Sequence, residues 1–131
     1  MTRDVGIGFN LLGPFEVLVH GERRVLGSPA EKAVLALLLL AHGRVVSREV
    51  LVDALWGEAP PANPTNAVQG RMSRLRRVLT ELGLPASLVV ANGPGYLIDV
   101  DPAVVDVHRF ATLVRQARAE GVDSADAGRL Y

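Results

Sequence analysis

Four guanidinium groups fall within seven residues of the stretch NAVQGRMSRLRRVL, as Arg71, Arg74, Arg76 and Arg77. No acid lies between Glu58 and Glu81 to pair with them. A solvated helix face ordinarily mixes charge signs in i,i+4 pairs, and cations crowded in this way repel one another unless an outside anion sits nearby. Around them stand two hydroxyls, Thr65 and Ser73, and two amides, Asn66 and Gln69. These are groups that grip phosphates and form paired hydrogen bonds with base edges, Arg with guanine and Asn or Gln with adenine. Gly70 stands mid-segment, where glycine costs a helix about 1 kcal/mol relative to alanine. A flat spot there lets another surface come close.

Other chemistries find little support. The chain has no cysteine, hence no disulfide, thiolate metal site or sulfur nucleophile, which suits a reducing compartment such as the cytoplasm. His20, His42 and His108 are scattered without metal-ligand spacing. Asp99, Asp101 and Asp106 surround a strand end and a helix start, with no nucleophile or glycine-rich phosphate loop beside them. GIGFNLLG misses the G-x-G-x-x-G spacing and precedes a strand. The expectation is therefore no enzyme, no cofactor and no metal. The apolar run AVLALLLLA at 33–41 falls far short of the roughly 20 residues that cross a bilayer, and the first residues do not resemble a signal peptide. No membrane partner is expected. Trp56 and Tyr96 read as packing residues.

These side chains need elements to place them. A length of 131 residues, 49% of them apolar, supports one domain with part of a second. Formal net charge is zero, so the basic patch is local. FNLLG, FEVLV and ERRVL, separated by GP and HG, predict an N-terminal antiparallel sheet. Ser28, Pro29 and Glu31 form a capping-box start for a helix over 29–42, stopped at Gly43. Ser47 caps a second helix with Val50, Leu51, Ala54 and Leu55 on one face. The proline-rich GEAPPANP is an exposed loop.

Asn63 and Pro64 start the third helix, which runs to about Leu82 and ends at Gly83. At 100° per residue, Val68, Met72, Leu75, Leu79 and Leu82 form its core stripe. Asn66, Gly70, Ser73 and Arg77 occupy the opposite face, with Arg74 on one shoulder and Gln69 and Arg76 on the other; Arg71 lies nearer the core edge. SLVVA and YLIDV around NGPG predict a hairpin. Asp106 caps a fourth helix whose stripe of Val107, Phe110, Leu113, Val114 and Ala117 has no partner in the first domain. GVDSADAGRLY reads as a loop and the opening of a further helix, as in a piece of a longer protein.

The order predicts an α+β winged helix-turn-helix: N-terminal antiparallel sheet, three helices and a C-terminal β-hairpin wing, plus the start of a helical second domain. Its third helix would enter the major groove of duplex DNA. A rival reading keeps the fold but docks the basic helix on an acidic protein partner without base readout.

The stretch LVDALWGEAPPANPTNAVQGRMSRLRRVL, followed by GPGYLIDV and VDVHRF, resembles the N-terminal part of SARP-type transcriptional activators, regulators of antibiotic biosynthesis clusters in actinomycetes whose DNA-binding domain is of the OmpR type. The resemblance covers about residues 8 to 119. It implies an OmpR-type winged-helix domain at 1–101, with 102–131 as linker and first helices of an activation domain. It also implies a four-stranded N-terminal sheet, a homodimer on direct repeats of double-stranded DNA, and a contact with RNA polymerase holoenzyme. Carried onto this chain, the DNA-binding set is Thr65, Asn66, Gln69, Gly70, Arg71, Ser73, Arg74, Arg76 and Arg77 with Asn92 and Gly93 of the hairpin. The polymerase-contact loop is Gly57, Glu58, Ala59, Pro60, Pro61 and Ala62. The chain departs from the family pattern at Gly70 and Arg71, and at Val90, Ala91 and Asn92, where a basic residue is frequent.

Overall fold

His20 and Gly21 both take positive φ, 51° and 81°, which is the backbone a two-residue hairpin turn demands. They join β2 (Glu16–Val19) to β3 (Glu22–Arg24), and β1 (Ile7–Asn10) pairs antiparallel on the other side of β2. A computed structural model describes residues 6–26 and 28–119. Phe9, Val17 and Val19 turn inward from this sheet. Among the described residues the N-terminal sheet has three strands, where the resemblance implies four. Val105, far along the chain, forms an isolated parallel bridge to Phe9.

Helix α1 (Pro29–Leu40) buries Val34, Leu35, Leu38 and Leu39. It ends two residues earlier than the sequence predicts, because His42 and Gly43 adopt positive φ. The expected capping box is not formed: Ser28 makes no side-chain cap bond. Glu31 instead turns inward to 5% exposure, and its Oε1 has no hydrogen-bond partner among the described residues.

Helix α2 (Arg48–Trp56) begins where the Ser47 hydroxyl accepts the Val50 amide, at 3.2 Å. Its inward face is Leu51, Val52, Leu55 and Trp56. Val50 is 52% exposed and Ala54 is also exposed, which corrects the expected face. Nine residues hold two overlapping i,i+4 patterns, and the packing chose the one containing Val52 and Trp56.

Helix α3 (Pro64–Glu81) follows the sequence closely. Asn63 Oδ1 accepts the Asn66 amide at 3.1 Å, Pro64 fills the first position, and Gly83 takes φ +91° after the last turn. Val68, Met72, Leu75 and Leu79 are fully or almost fully buried, each contributing about 1.5–3 kcal/mol. Leu82 packs at the edge.

The second sheet is three-stranded and antiparallel, ordered β4 (Val46–Ser47), β6 (Gly95–Ile98), β5 (Val89–Asn92). Gly93 and Pro94 alone form the turn, since Asn92 pairs with Gly95. β4 comes from the segment between α1 and α2 and ties the hairpin to the start of α2.

A one-turn 3-10 helix at Pro102–Val104, capped by Asp101 through the Ala103 amide, leads into α4 (Asp106–Ala119). The Asp106 carboxylate was expected to cap this helix. It accepts the amides of Leu11 and Leu12, at 2.7 and 3.0 Å, and so fastens α4 to the end of β1. His108 Nε2 lies 2.6 Å from the Leu39 carbonyl oxygen, and the His108 ring sits 4.4 Å from that of His42. Past these contacts Phe110 and Leu113 are 59% and 57% exposed. The further helix expected after residue 120 lies outside the described residues.

Candidate nucleic-acid interface

The core stripe of α3 fixes what the rest of the helix presents. Thr65, Asn66, Gln69, Ser73, Arg74 and Arg77 are exposed; Gly70, Arg71 and Arg76 are half-buried. A Cβ added at Gly70 would meet nothing nearer than Arg74 Nη2, at 3.9 Å. Internal packing therefore gives no reason for glycine at this position.

The four arginines divide into two kinds. Arg71 leans toward α2, its guanidinium carbon 5.8 Å from the centre of the Trp56 ring, a cation–π distance. Arg76 reaches the hairpin, where its Nε and Nη2 donate to the Val89 carbonyl oxygen at 3.3 and 3.1 Å. Arg74 and Arg77 form no ion pair among the described residues. They are the charges left for an external anion.

The wing closes one side of this surface. Asn92 and Gly93 are exposed at its tip, and Gly93 adopts φ +55°. Between the tip and the first turns of α3 lies a cleft of about 200 Å³ lined by Arg48, Thr65, Gln69, Pro94 and Tyr96. The Arg48 amide donates to the Pro94 carbonyl oxygen at 3.0 Å, while its side chain is 43% exposed and 3.9 Å from Glu49. Neither residue belongs to the DNA-binding set expected from the sequence, in which Tyr96 reads only as packing. Arg48 is brought beside α3 by the β4–β6 pairing, a long-range contact that leaves no local signature.

The expected polymerase-contact loop joins α2 to α3. Gly57 takes φ +58° and donates its amide to Asp53 O, and the Ala59 amide returns to Trp56 O. Glu58, Ala59, Pro60 and Ala62 are exposed, and Pro61 is half-buried. A second groove, of about 470 Å³, runs between this loop and α2, lined by Glu49, Val52, Asp53, Gly57, Pro60 and Pro64 among others. Among the described residues no three His, Cys, Asp or Glu side chains converge as a metal site would require. No described helix is long and apolar enough to cross a membrane.

Residues 21–98 match the family model described as transcriptional regulatory protein, C terminal. The chain is 39% identical over 106 residues to the transcriptional regulatory protein MoaR1 of Mycobacterium tuberculosis, covering 79% of this chain and 34% of that protein. It is 35% identical over 116 residues to the transcriptional regulator RedD of Streptomyces coelicolor, covering 86% of this chain and 33% of the relative. The solved structure of Mycobacterium tuberculosis EmbR, in complex with a low affinity phosphopeptide, superimposes with a TM-score of 0.71 at 31% identity, over 82% of this chain and 28% of that one. The chain thus spans about a third of the length of these relatives.

Proposed function

The chain belongs to the transcriptional regulatory protein, C terminal family, with the OmpR-type winged helix of SARP-type regulators rather than an enzyme fold, and from that premise we propose that it binds double-stranded DNA sequence-specifically and activates transcription. The observation that carries the reading is the exposed face of α3. Arg74 and Arg77 stand on it without acids, beside Asn66, Gln69 and Ser73, and Gly70 leaves a low point between them. A helix of this kind can lie in a major groove with its polar side chains at base edges, while flanking cations meet phosphates.

In this reading Thr65, Asn66, Gln69, Gly70, Ser73, Arg74 and Arg77 face the duplex. Arg48, in the cleft between α3 and the wing, adds a phosphate contact, and Asn92 and Gly93 approach the neighbouring minor groove. Arg71 borders the groove from the Trp56 side. The loop Gly57–Ala62 contacts RNA polymerase holoenzyme, and two copies bind direct repeats as a homodimer in the cytoplasm. The resemblance to SARP-type activators makes an antibiotic or other secondary-metabolite gene cluster the target class.

Selection of bound duplexes from a random pool tests this. A repeated half-site spaced by about one helical turn is the expected outcome. Recovery of no preferred sequence, together with binding to an acidic protein partner, would replace the DNA reading with the protein-docking one.

A further inference from the structure

The Val89 carbonyl faces away from its own sheet. The Asp99 amide donates to Leu88 O at 2.8 Å, and the register sets Val89 opposite Ile98 and Val90 opposite Leu97. Bonded and non-bonded pairs alternate along an antiparallel ladder, so the bonded Leu88–Asp99 pair makes Val89–Ile98 a non-bonded one. The Val89 oxygen then points outward from β5, which is the edge strand. Val89 is only 3% exposed, so water has little access to that oxygen, and a buried carbonyl left unpaired is costly. Arg76 supplies the missing donors from α3, two N–H groups of one rigid guanidinium.

The geometry points to Arg76 as a positioning residue that sets where the wing stands relative to α3, serving DNA binding through the wing and not by touching a phosphate. This rests on the DNA-binding reading above. The wing has two moorings. Its tip is held by β4 and the Arg48–Pro94 bond, and the start of β5 is held by Arg76. Arg77, the next residue, is exposed and has no such bond among the described residues. Adjacent arginines thus have separate tasks: one fixes the spacing between helix and wing, and the other is free to meet DNA.

Hydrogen exchange of the β5–β6 amides in the free protein, with duplex binding over a salt series, tests the assignment in Arg76→Ala and Arg76→Lys. Lysine keeps the charge but lacks the fork, so it separates anchoring from charge even where the alanine variant folds poorly. Both variants should exchange these amides about ten- to a hundredfold faster than the parent. Both should bind the selected site more weakly with the parent's salt slope, and Asn92→Ala should cost less in the Arg76→Lys background than in the parent. Unchanged exchange overturns the anchoring role. A slope reduced by about one unit in Arg76→Ala and restored by lysine makes Arg76 a phosphate contact instead. A parent chain that binds no duplex overturns the DNA reading and the role through the wing, while the exchange rates still decide the anchoring.

Discussion

The Val46 carbonyl oxygen occupies the space into which a side chain at residue 95 would project; a Cβ built on Gly95 would overlap it. Gly95 is thus the residue that lets β6 close against β4 and hold the wing beside α2 and α3. Gly95→Ala should push the two backbones apart and destabilise the fold by about 1–3 kcal/mol. A melt of the variant against the parent checks this, and a melting temperature equal to the parent's would place the β4–β6 contact elsewhere.

At Gly70 the opposite holds. An added Cβ meets only the far end of Arg74, and leucine is the better helix former by about 0.8 kcal/mol. Gly70→Leu should melt at or above the parent's temperature while binding duplex DNA at least tenfold more weakly, since the side chain would hold α3 off the base edges. Affinity equal to the parent's would remove Gly70 from the DNA surface.

Asp106 joins α4 to β1 through two backbone amides. Charge-assisted bonds of this kind contribute about 1.5–3 kcal/mol each when buried, and less at a half-exposed site. Asp106→Ala should therefore lower stability by about 1–2 kcal/mol and free the start of α4, read as faster hydrogen exchange at Leu11 and Leu12. Protection of those two amides at the parent's level would show that the start of α4 is held by His108 and the packing of Val107 without Asp106.

Much of α3 is legible in the sequence because local rules suffice for it. Asn63 and Pro64 mark its start, the four-three spacing of Val68, Met72, Leu75 and Leu79 marks its buried side, and the missing acids mark its exposed one. The hairpin turn is equally local. What the sequence hides is set by tertiary partners. The guanidinium of Arg76 looks like that of Arg77 until Val89 is placed beside it, and Arg48 is an ordinary helix-start residue until β4 pairs with β6. The inward face of α2 is hidden because its nine residues contain two apolar phases. The capping box at Ser28 failed because Glu31 is drawn inward.

The loop between α2 and α3 should separate activation from binding. Glu58 and Pro60 are exposed and precede α3, so changing both to alanine should lower transcription severalfold in a reconstituted assay while duplex affinity stays within about twofold, as surface substitutions usually leave stability unchanged. A matched fall in both quantities would mean that the loop acts through DNA.

The central claim is that the exposed arginines of α3 read DNA, and Arg74→Ala and Arg77→Ala test it most directly when titrated on the selected half-site and on single-base mismatches over a salt series. At least one of them should lose about 1–3 kcal/mol on the matched site and relax preference at a single base pair, as loss of a bidentate base contact does. The other should weaken binding to all sequences alike and reduce the salt slope by about one unit if it meets a phosphate. Affinity, preference and slope all unchanged in both variants would contradict the account and turn the basic face of α3 toward a protein partner.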